Sequence, residues 1–323
     1  MADIGPGTAS RAAKILVTGA DLAAPARALL GGYEIIYAGK APQPADLLAL
    51  CKQHDPAGII VRYGKVTADM MEAAPSLKVI SKHGSGTDTI DVAAAHARGI
   101  EVVAAAGANA AAVAEHAIAL MLACAKSVPQ LDRRMRAGHW DKPTHKSLEL
   151  GGRTIGLVGL GAIGRRTAAI ARSFGMRVIG FDPFAADLPE FIEAVPLNTI
   201  WREADVISLH CPLIETNRNL VNGATLGLTR RGVIIVNTAR GGLIDEAALL
   251  EAVRSGQVGG AGLDSFAVEP ALADHPFYSE ERIVLSPHIG GVTGDAYVNM
   301  GVAAAKNVLA VLDPATPQVQ RAA

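Results

Sequence analysis

Short β-branched runs alternate with Ala-rich stretches along this chain. Ile15-Leu16-Val17, Ile35-Ile36-Tyr37, Ile59-Ile60-Val61, Val79-Ile80 and Val102-Val103 are unbroken apolar runs of strand length. Runs without polar alternation suit strands covered on both faces. Pro44 to Gln53, Ala68 to Ala74 and Val92 to Arg98 lie between them and read as helices. Five strands interleaved with helices predict a parallel sheet with helices on both sides. A long helical stretch follows, from about Ala110 to Arg136, and Gly138-His139-Trp140-Asp141-Lys142-Pro143 ends it. Arg133, Arg134 and Arg136 read as a solvated face at its end.

A second array starts at Thr154. Its strands are Ile155 to Val158, Val178 to Phe181, Val206 to Leu209, Val233 to Val236, Gly260 to Leu263 and Ile283 to Leu285, and Asp295 to Leu312 is the last helix. No tandem repeat or low-complexity linker interrupts the pattern. The expectation is an α/β protein of two doubly wound domains with a cleft between them, a usual place for a ligand.

Composition narrows the function classes. A chain of 323 residues has the length of two domains, and 50% hydrophobic with 19% charged residues is a globular balance. Thirty Lys and Arg against 31 Asp and Glu leave a net charge of −1. No general electrostatic pull toward nucleic acid or an anionic membrane follows from that balance. Val102 to Ala125 carries only Glu115 and His116 as ionisable groups, but Gly107 and Asn109 interrupt it. It reads as a strand ending near Ala104, a loop and a buried helix rather than a membrane span. Cys51, Cys124 and Cys211 are far apart and form no CxxC, so neither a disulfide framework nor a metal site is expected. Met1 to Ser10 has no basic segment before an apolar run, so no signal peptide is expected and the cytoplasm is the expected compartment.

Gly159-Leu160-Gly161-Ala162-Ile163-Gly164 is a GxGxxG that follows one strand and opens a helix running to about Ser173. The next strand ends at Asp182, 18 residues after Gly164. That context is the dinucleotide-binding fingerprint of a Rossmann domain. Gly159 permits the tight turn, Gly161 lets the backbone approach a pyrophosphate, and Gly164 lets helix and strand pack closely. The helix N-terminus offers N–H groups to phosphate. Asp182 is placed to accept from the ribose hydroxyls and to repel a 2′-phosphate, which favours NAD over NADP.

Four motifs follow the later strands: His210-Cys211-Pro212-Leu213, Asn237 to Asp245, Gly262-Leu263-Asp264 with Glu269-Pro270, and Ser286-Pro287-His288-Ile289-Gly290-Gly291. Each stands just past the carboxyl end of a strand, where open α/β sheets bind ligands. Arg240 offers a fixed fork of donors for a carboxylate or a carbonyl oxygen. His288 is the residue type for proton transfer near neutral pH, and Glu269 is a partner that can fix its tautomer.

In these ordered motifs the chain resembles the D-isomer-specific 2-hydroxyacid dehydrogenases, the phosphoglycerate dehydrogenase-like branch in particular, from about Lys14 to Leu312. The resemblance implies a Rossmann NAD-binding domain, residues 107–291, inserted into a flavodoxin-like substrate domain of residues 1–106 and 292–323. It implies NAD as cofactor and reversible hydride transfer between NAD(H) and a small 2-hydroxy or 2-keto acid. Arg240, Glu269 and His288 match the family's Arg, Glu and His triad. By motif match, Cys211 and Pro212 border the adenine, the backbone of Thr238 and Ala239 lines the nicotinamide, Asp264 accepts from its carboxamide, and Ala162 and Ile163 offer N–H groups to the pyrophosphate. Gly290 belongs to the same cofactor-side motif.

Two further loops match the substrate domain. His83-Gly84-Ser85-Gly86-Thr87-Asp88 matches a glycine-rich loop in which the N–H groups of Ser85 and Gly86 can hold a carboxylate. Val61-Arg62-Tyr63-Gly64-Lys65-Val66-Thr67 matches the loop whose Arg helps hold phosphate in phosphoglycerate dehydrogenases. Here it is one residue shorter between Arg62 and Lys65, and Tyr63 is bulkier than the usual small residue. The substrates that remain open are 3-phosphoglycerate, glycerate with hydroxypyruvate, and glycolate with glyoxylate. Glu269 in place of a Gln argues against formate, while phosphite is not excluded by the triad. An NADH-sensing corepressor-like module on the same fold is the reading from another class, and the absence of a long disordered tail weighs against it. The chain stops soon after Leu312, so regulation through an added C-terminal domain is not expected. The resemblance also implies a homodimer joined through the NAD domain by about Ala110 to Leu150, and closure of the two domains over the substrate.

Overall fold

The computed structural model describes residues 13–313; the expectation about Met1 to Ser10 lies outside them. The chain divides into two compact units, one made of the residues up to Asn109 and from Thr293 onward, the other of Ala110–Val292.

The first unit holds β1 (Lys14–Val17), β2 (Glu34–Tyr37), β3 (Gly58–Val61), β4 (Val79–Lys82) and β5 (Glu101–Ala104), all parallel, in the order β2-β1-β3-β4-β5. That order is flavodoxin-like. Helices α1 (Ala24–Leu29), α2 (Pro44–His54), α3 (Ala68–Glu72) and α4 (Val92–Ala97) connect the strands. The apolar runs divide between the two faces by alternation: Leu16, Ile59 and Val61 enter one core, and Ile15, Val17 and Ile60 the other. The C-terminal helix Gly294–Leu312 covers the second face through Ala304, Ala305 and Val308. Its Asn307 amide donates to Ser81 Oγ and to the Ala104 carbonyl.

The second unit begins with α5 (Ala110–Lys126) and α6 (Val128–Arg136), followed by β6 (Thr154–Val158), α7 (Ala162–Ser173), β7 (Arg177–Phe181), β8 (Ile192–Ala194) and α8 (Leu197–Glu203). Then come β9 (Val206–Leu209), α9 (Gly223–Gly227), β10 (Val233–Asn237), α10 (Glu246–Arg254), β11 (Val258–Leu263) and β12 (Ile283–Leu285). The sheet order is β12-β11-β10-β9-β6-β7-β8, with all pairs parallel. Counted from β6, this is the Rossmann order extended by one strand. Ile207, Leu209, Val233 and Ile235 fill one face, and Val206, Ile234 and Val236 the other.

One sequence expectation is corrected. The helix expected from Ala110 to Arg136 breaks at Ser127, which has φ 52°, and its halves are bent by 59°. Pro129 has no N–H to donate to the Ala125 carbonyl, and the Leu148 N–H takes that carbonyl at 2.9 Å. α1 and β8, short and without a clear period, were not expected from the pattern. Among the described residues no single helix is long and apolar enough to cross a membrane; only the bent pair passes by length and composition. Half of α5 is buried in the second unit, and α6 carries the three exposed arginines. The cysteines form no disulfide, and no cluster of His, Cys, Asp and Glu among the described residues could hold a metal ion.

Candidate active site

The turn after β6 is built by close approach. Gly159 has φ 100°, and a Cβ there would lie 2.6 Å from the Cys211 nitrogen. A Cβ on Gly164 would lie 2.1 Å from the Gly159 carbonyl oxygen, so α7 is pressed directly onto the turn. A Cβ on Gly161 would meet nothing within 4 Å. α7 starts there with no side chain capping it, so the N–H groups of its first turn, Ala162 and Ile163 among them, are available to an anion.

Asp182 follows β7 directly. Its Oδ2 accepts from the Leu160 N–H at 2.7 Å, and its Oδ1 from the Phe184 N–H at 2.9 Å. It therefore braces the glycine-rich turn. Arg165 reinforces the same corner by donating to the carbonyls of Leu160, Ala186 and Asp187. Across the turn, His210 shares a 2.9 Å hydrogen bond with Ser208 Oγ, and burial pushes its pKa down to about 4. Burial pushes the Cys211 thiol up to about 11, so it is a neutral, apolar wall rather than a nucleophile. Asn217 donates to the Pro212 carbonyl at 2.7 Å and holds that segment in place. The Thr238 hydroxyl oxygen is buried with no hydrogen-bond partner, as expected of a group that a ligand would satisfy. An open helix N-terminus, a carboxylate at the strand end and an orphaned hydroxyl together fit a dinucleotide.

The three residues of the expected triad follow the neighbouring strands β10, β11 and β12. Asn237 is fully buried; its amide donates to the Arg240 carbonyl at 2.8 Å and its Oδ1 accepts from the Ala239 N–H at 3.0 Å. The turn presenting Arg240 is closed by that one side chain. The Arg240 guanidinium donates to the Ala239 carbonyl at 2.8 Å. Glu269 Oε1 accepts from the Phe266 N–H at 3.0 Å, and its Oε2 lies 2.7 Å from His288 Nδ1. His288 has φ 54°, a conformation that costs a non-glycine residue on the order of 1–3 kcal/mol. Asp264, 1% exposed, holds the segment around it: Oδ1 accepts from Ser286 Oγ at 2.6 Å and from the Ile289 N–H at 2.9 Å, and Oδ2 from the Gly290 N–H at 2.7 Å.

In the first unit, Arg62 and Tyr63 follow β3, and Ser85 and Gly86 follow β4, its neighbour in the sheet. Ser85 Oγ donates to Asn109 Oδ1 at 3.0 Å. Arg62 donates to both the side chain and the carbonyl of Asp21, and its guanidinium lies over the rings of Tyr63 and Tyr297, 5.3 and 4.9 Å from their centroids. The Tyr297 hydroxyl also donates to Asp21, at 3.1 Å. The Arg62 hydrogen bond, more than any other influence, holds the Asp21 carboxyl below its usual range. Burial, with the Arg62 charge adding to it, pushes His83 down to about 4.

The D-isomer-specific 2-hydroxyacid dehydrogenase NAD-binding-domain family matches residues 118–290. A hydroxypyruvate reductase of Thermotoga maritima is 44% identical over 240 residues, 74% of this chain and 78% of that protein. The chain belongs to the D-isomer-specific 2-hydroxyacid dehydrogenase family. A D-3-phosphoglycerate dehydrogenase of Sus scrofa is 39% identical over 262 residues, 78% of this chain and 48% of that protein, so the chain spans about half the length of that relative. Among solved structures, a glyoxylate reductase from Paecilomyes thermophila superposes with a TM-score of 0.84 at 30% identity, covering 94% of this chain and 96% of that one. A protein from Thermus thermophilus does so with 0.86 at 36% identity, covering 93% and 97%. The protein is an NAD-dependent oxidoreductase of the 2-hydroxyacid dehydrogenase class.

Sequence reasoning missed several supports of this 2-hydroxyacid dehydrogenase site. Asp21 is a lone acid between two loop residues, with no spacing to mark it. Asn237 reads only as the first residue of the motif after its strand. His116 reads only as one polar residue in an apolar helix.

Proposed function

We propose that the protein interconverts a short, unphosphorylated 2-keto acid, of the size of hydroxypyruvate or glyoxylate, and its D-2-hydroxy acid, with His288 as the acid and base. The observation that carries this reading is the 2.7 Å contact between Glu269 Oε2 and His288 Nδ1. It fixes the proton on Nδ1 and leaves Nε2 as the nitrogen that exchanges a proton with substrate. Bound NADH supplies the hydride. In the reduction, His288 Nε2–H protonates the carbonyl oxygen while the carbonyl carbon gains the hydride, and the Glu269 charge stabilises the imidazolium beforehand. In the oxidation, neutral Nε2 takes the hydroxyl proton. Arg240 holds the carboxylate and carbonyl oxygen through its fork of donors.

The remaining roles belong to the same reading. Ala162 and Ile163 N–H groups hold the pyrophosphate, Asp182 holds the ribose and favours NAD over NADP, Cys211 and Pro212 border the adenine, and Thr238, Ala239, Asp264 and Gly290 line the nicotinamide end. Ser85 and Gly86 bind the substrate carboxylate. Arg62 is the expected phosphate ligand of a longer acid, but Asp21 already neutralises it, which supports an unphosphorylated substrate. The exposed Val128, Met135 and Trp140 support the homodimer implied by the family.

The test is NADH oxidation with phosphohydroxypyruvate, hydroxypyruvate and glyoxylate side by side. The reading expects one of the two unphosphorylated acids to lead in kcat/KM by about tenfold or more, roughly 1.4 kcal/mol. A lead for phosphohydroxypyruvate would make Arg62 a phosphate ligand and overturn the substrate class.

A further inference from the structure

The histidine of α5 lies beneath the segment that carries His288. His116 Nε2 is 2.8 Å from Ser286 Oγ and 3.3 Å from Asp264 Oδ1, and its side chain is 22% exposed. A Cβ on Gly290 would lie 3.3 Å from the His116 ring, so the ring also fills the space under that residue. We infer that His116 is a positioning residue for His288, acting through Ser286 and Asp264; this rests on the reading of His288 as the acid and base.

The direction of the hydrogen bonds follows from valence. The Ser286 hydroxyl has one hydrogen, and it goes to Asp264 Oδ1 at 2.6 Å. Ser286 Oγ must then accept from His116, so His116 carries its proton on Nε2. The chain of donors runs from His116 to Ser286 to Asp264. Asp264 in turn accepts from the N–H groups of Ile289 and Gly290, and the His288 N–H donates to the Ser286 carbonyl at 3.1 Å. His288 is thus bracketed by residues tied to one carboxylate, in a backbone conformation that relaxes unless its surroundings hold it. Without the donor from α5, Ser286 Oγ has a hydrogen-bond vacancy and can turn away from Asp264, which loosens one side of the bracket.

A residue that aims an acid changes the rate of the proton step more than the binding of substrate. The test measures kcat, KM for hydroxypyruvate, the Kd of NADH by fluorescence, and Tm in three variants. For His116→Ala the expectation is a kcat lower by about tenfold or more, with KM and the NADH Kd within about threefold of wild type. His116→Gln keeps a donor at the position of Nε2 and is expected to restore most of the kcat. Ser286→Ala breaks the chain at its middle and is expected to lose kcat as His116→Ala does, which keeps the inference testable if His116→Ala fails to fold. A folded His116→Ala or Ser286→Ala enzyme with wild-type kcat overturns the inference, and so does a folded His116→Gln enzyme with the kcat of the alanine variant. Turnover lost in His288→Ala but kept in His116→Ala overturns the positioning role alone. Turnover kept in both overturns the reading of His288, and the positioning role with it.

Discussion

Gly241 lies against the backbone of Phe266 so closely that a Cβ would stand 1.9 Å from the Phe266 carbonyl carbon and 2.1 Å from its oxygen. The residue before Gly241 is Arg240, and the Phe266 N–H holds Glu269. One glycine therefore couples the turn that presents Arg240 to the segment that presents Glu269. Gly241→Ala would push these backbones apart. The expected result is a kcat/KM lower by about a hundredfold, with a Tm drop of several degrees, because displacement of about 1 Å at a site costs about that much. Steady-state kinetics and a thermal melt check both.

Asp182 braces the glycine-rich turn and is proposed to meet the ribose, and its removal should show both. Asp182→Ser takes away the carboxylate proposed to repel a 2′-phosphate and the acceptor that braces the Leu160 N–H. The NADH Kd is expected to rise by about tenfold, the worth of a charge-assisted hydrogen bond, while NADPH binding improves relative to NADH. Fluorescence titration with both cofactors decides it; an unchanged ratio would remove Asp182 from the ribose.

The ion pair on the other unit makes a separate prediction. Asp21→Asn removes the charge that neutralises Arg62 while leaving an amide oxygen for the guanidinium and for Tyr297. The expected outcome is a gain of about tenfold or more in kcat/KM for phosphohydroxypyruvate relative to hydroxypyruvate. A fixed ratio in a folded variant would mean that Arg62 does not set the choice.

Two buried imidazoles give stability a pH dependence. His83 and His210 are both pushed from 6.5 down to about 4 by burial. Below pH 6.5 the unfolded chain binds protons at these positions that the folded chain refuses, so stability falls as pH drops from about 6.5 toward 4 and is fully present above 6.5. At 1.36 kcal/mol per unit, each group contributes at most about 3 kcal/mol to that loss. Tm measured at pH 7 and pH 4.5 should fall, and His210→Gln, which keeps a partner for Ser208 without a proton to bind, should fall less.

How much of this was legible beforehand depended on whether a feature is local. The central strands were readable because their apolar runs bury both faces, as Ile59, Ile60 and Val61 do on opposite sides of one sheet, whereas the edge run Glu34–Tyr37 stays partly exposed. The glycine-rich turn was readable because its demands fall within six residues. The break at Ser127 was not, since it depends on Leu148 reaching a carbonyl that Pro129 leaves open. Asp21 was not, since its meaning comes from Arg62, 41 residues on. His116 and Ser286 meet across 170 positions, and no spacing rule connects them. The residues that do chemistry announce themselves by type and motif, whereas the residues that aim them are defined by who touches them.

The proposed chemistry turns on proton transfer by His288. The most direct measurement is the turnover of hydroxypyruvate by His288→Ala, with NADH affinity measured on the same preparation. The glycine-rich turn and Asp182 are untouched by the change, so the NADH Kd should match wild type. With the acid gone, kcat should fall by about 10²–10⁴. A variant that binds NADH normally and turns over at the wild-type rate would remove His288 from the proton transfer.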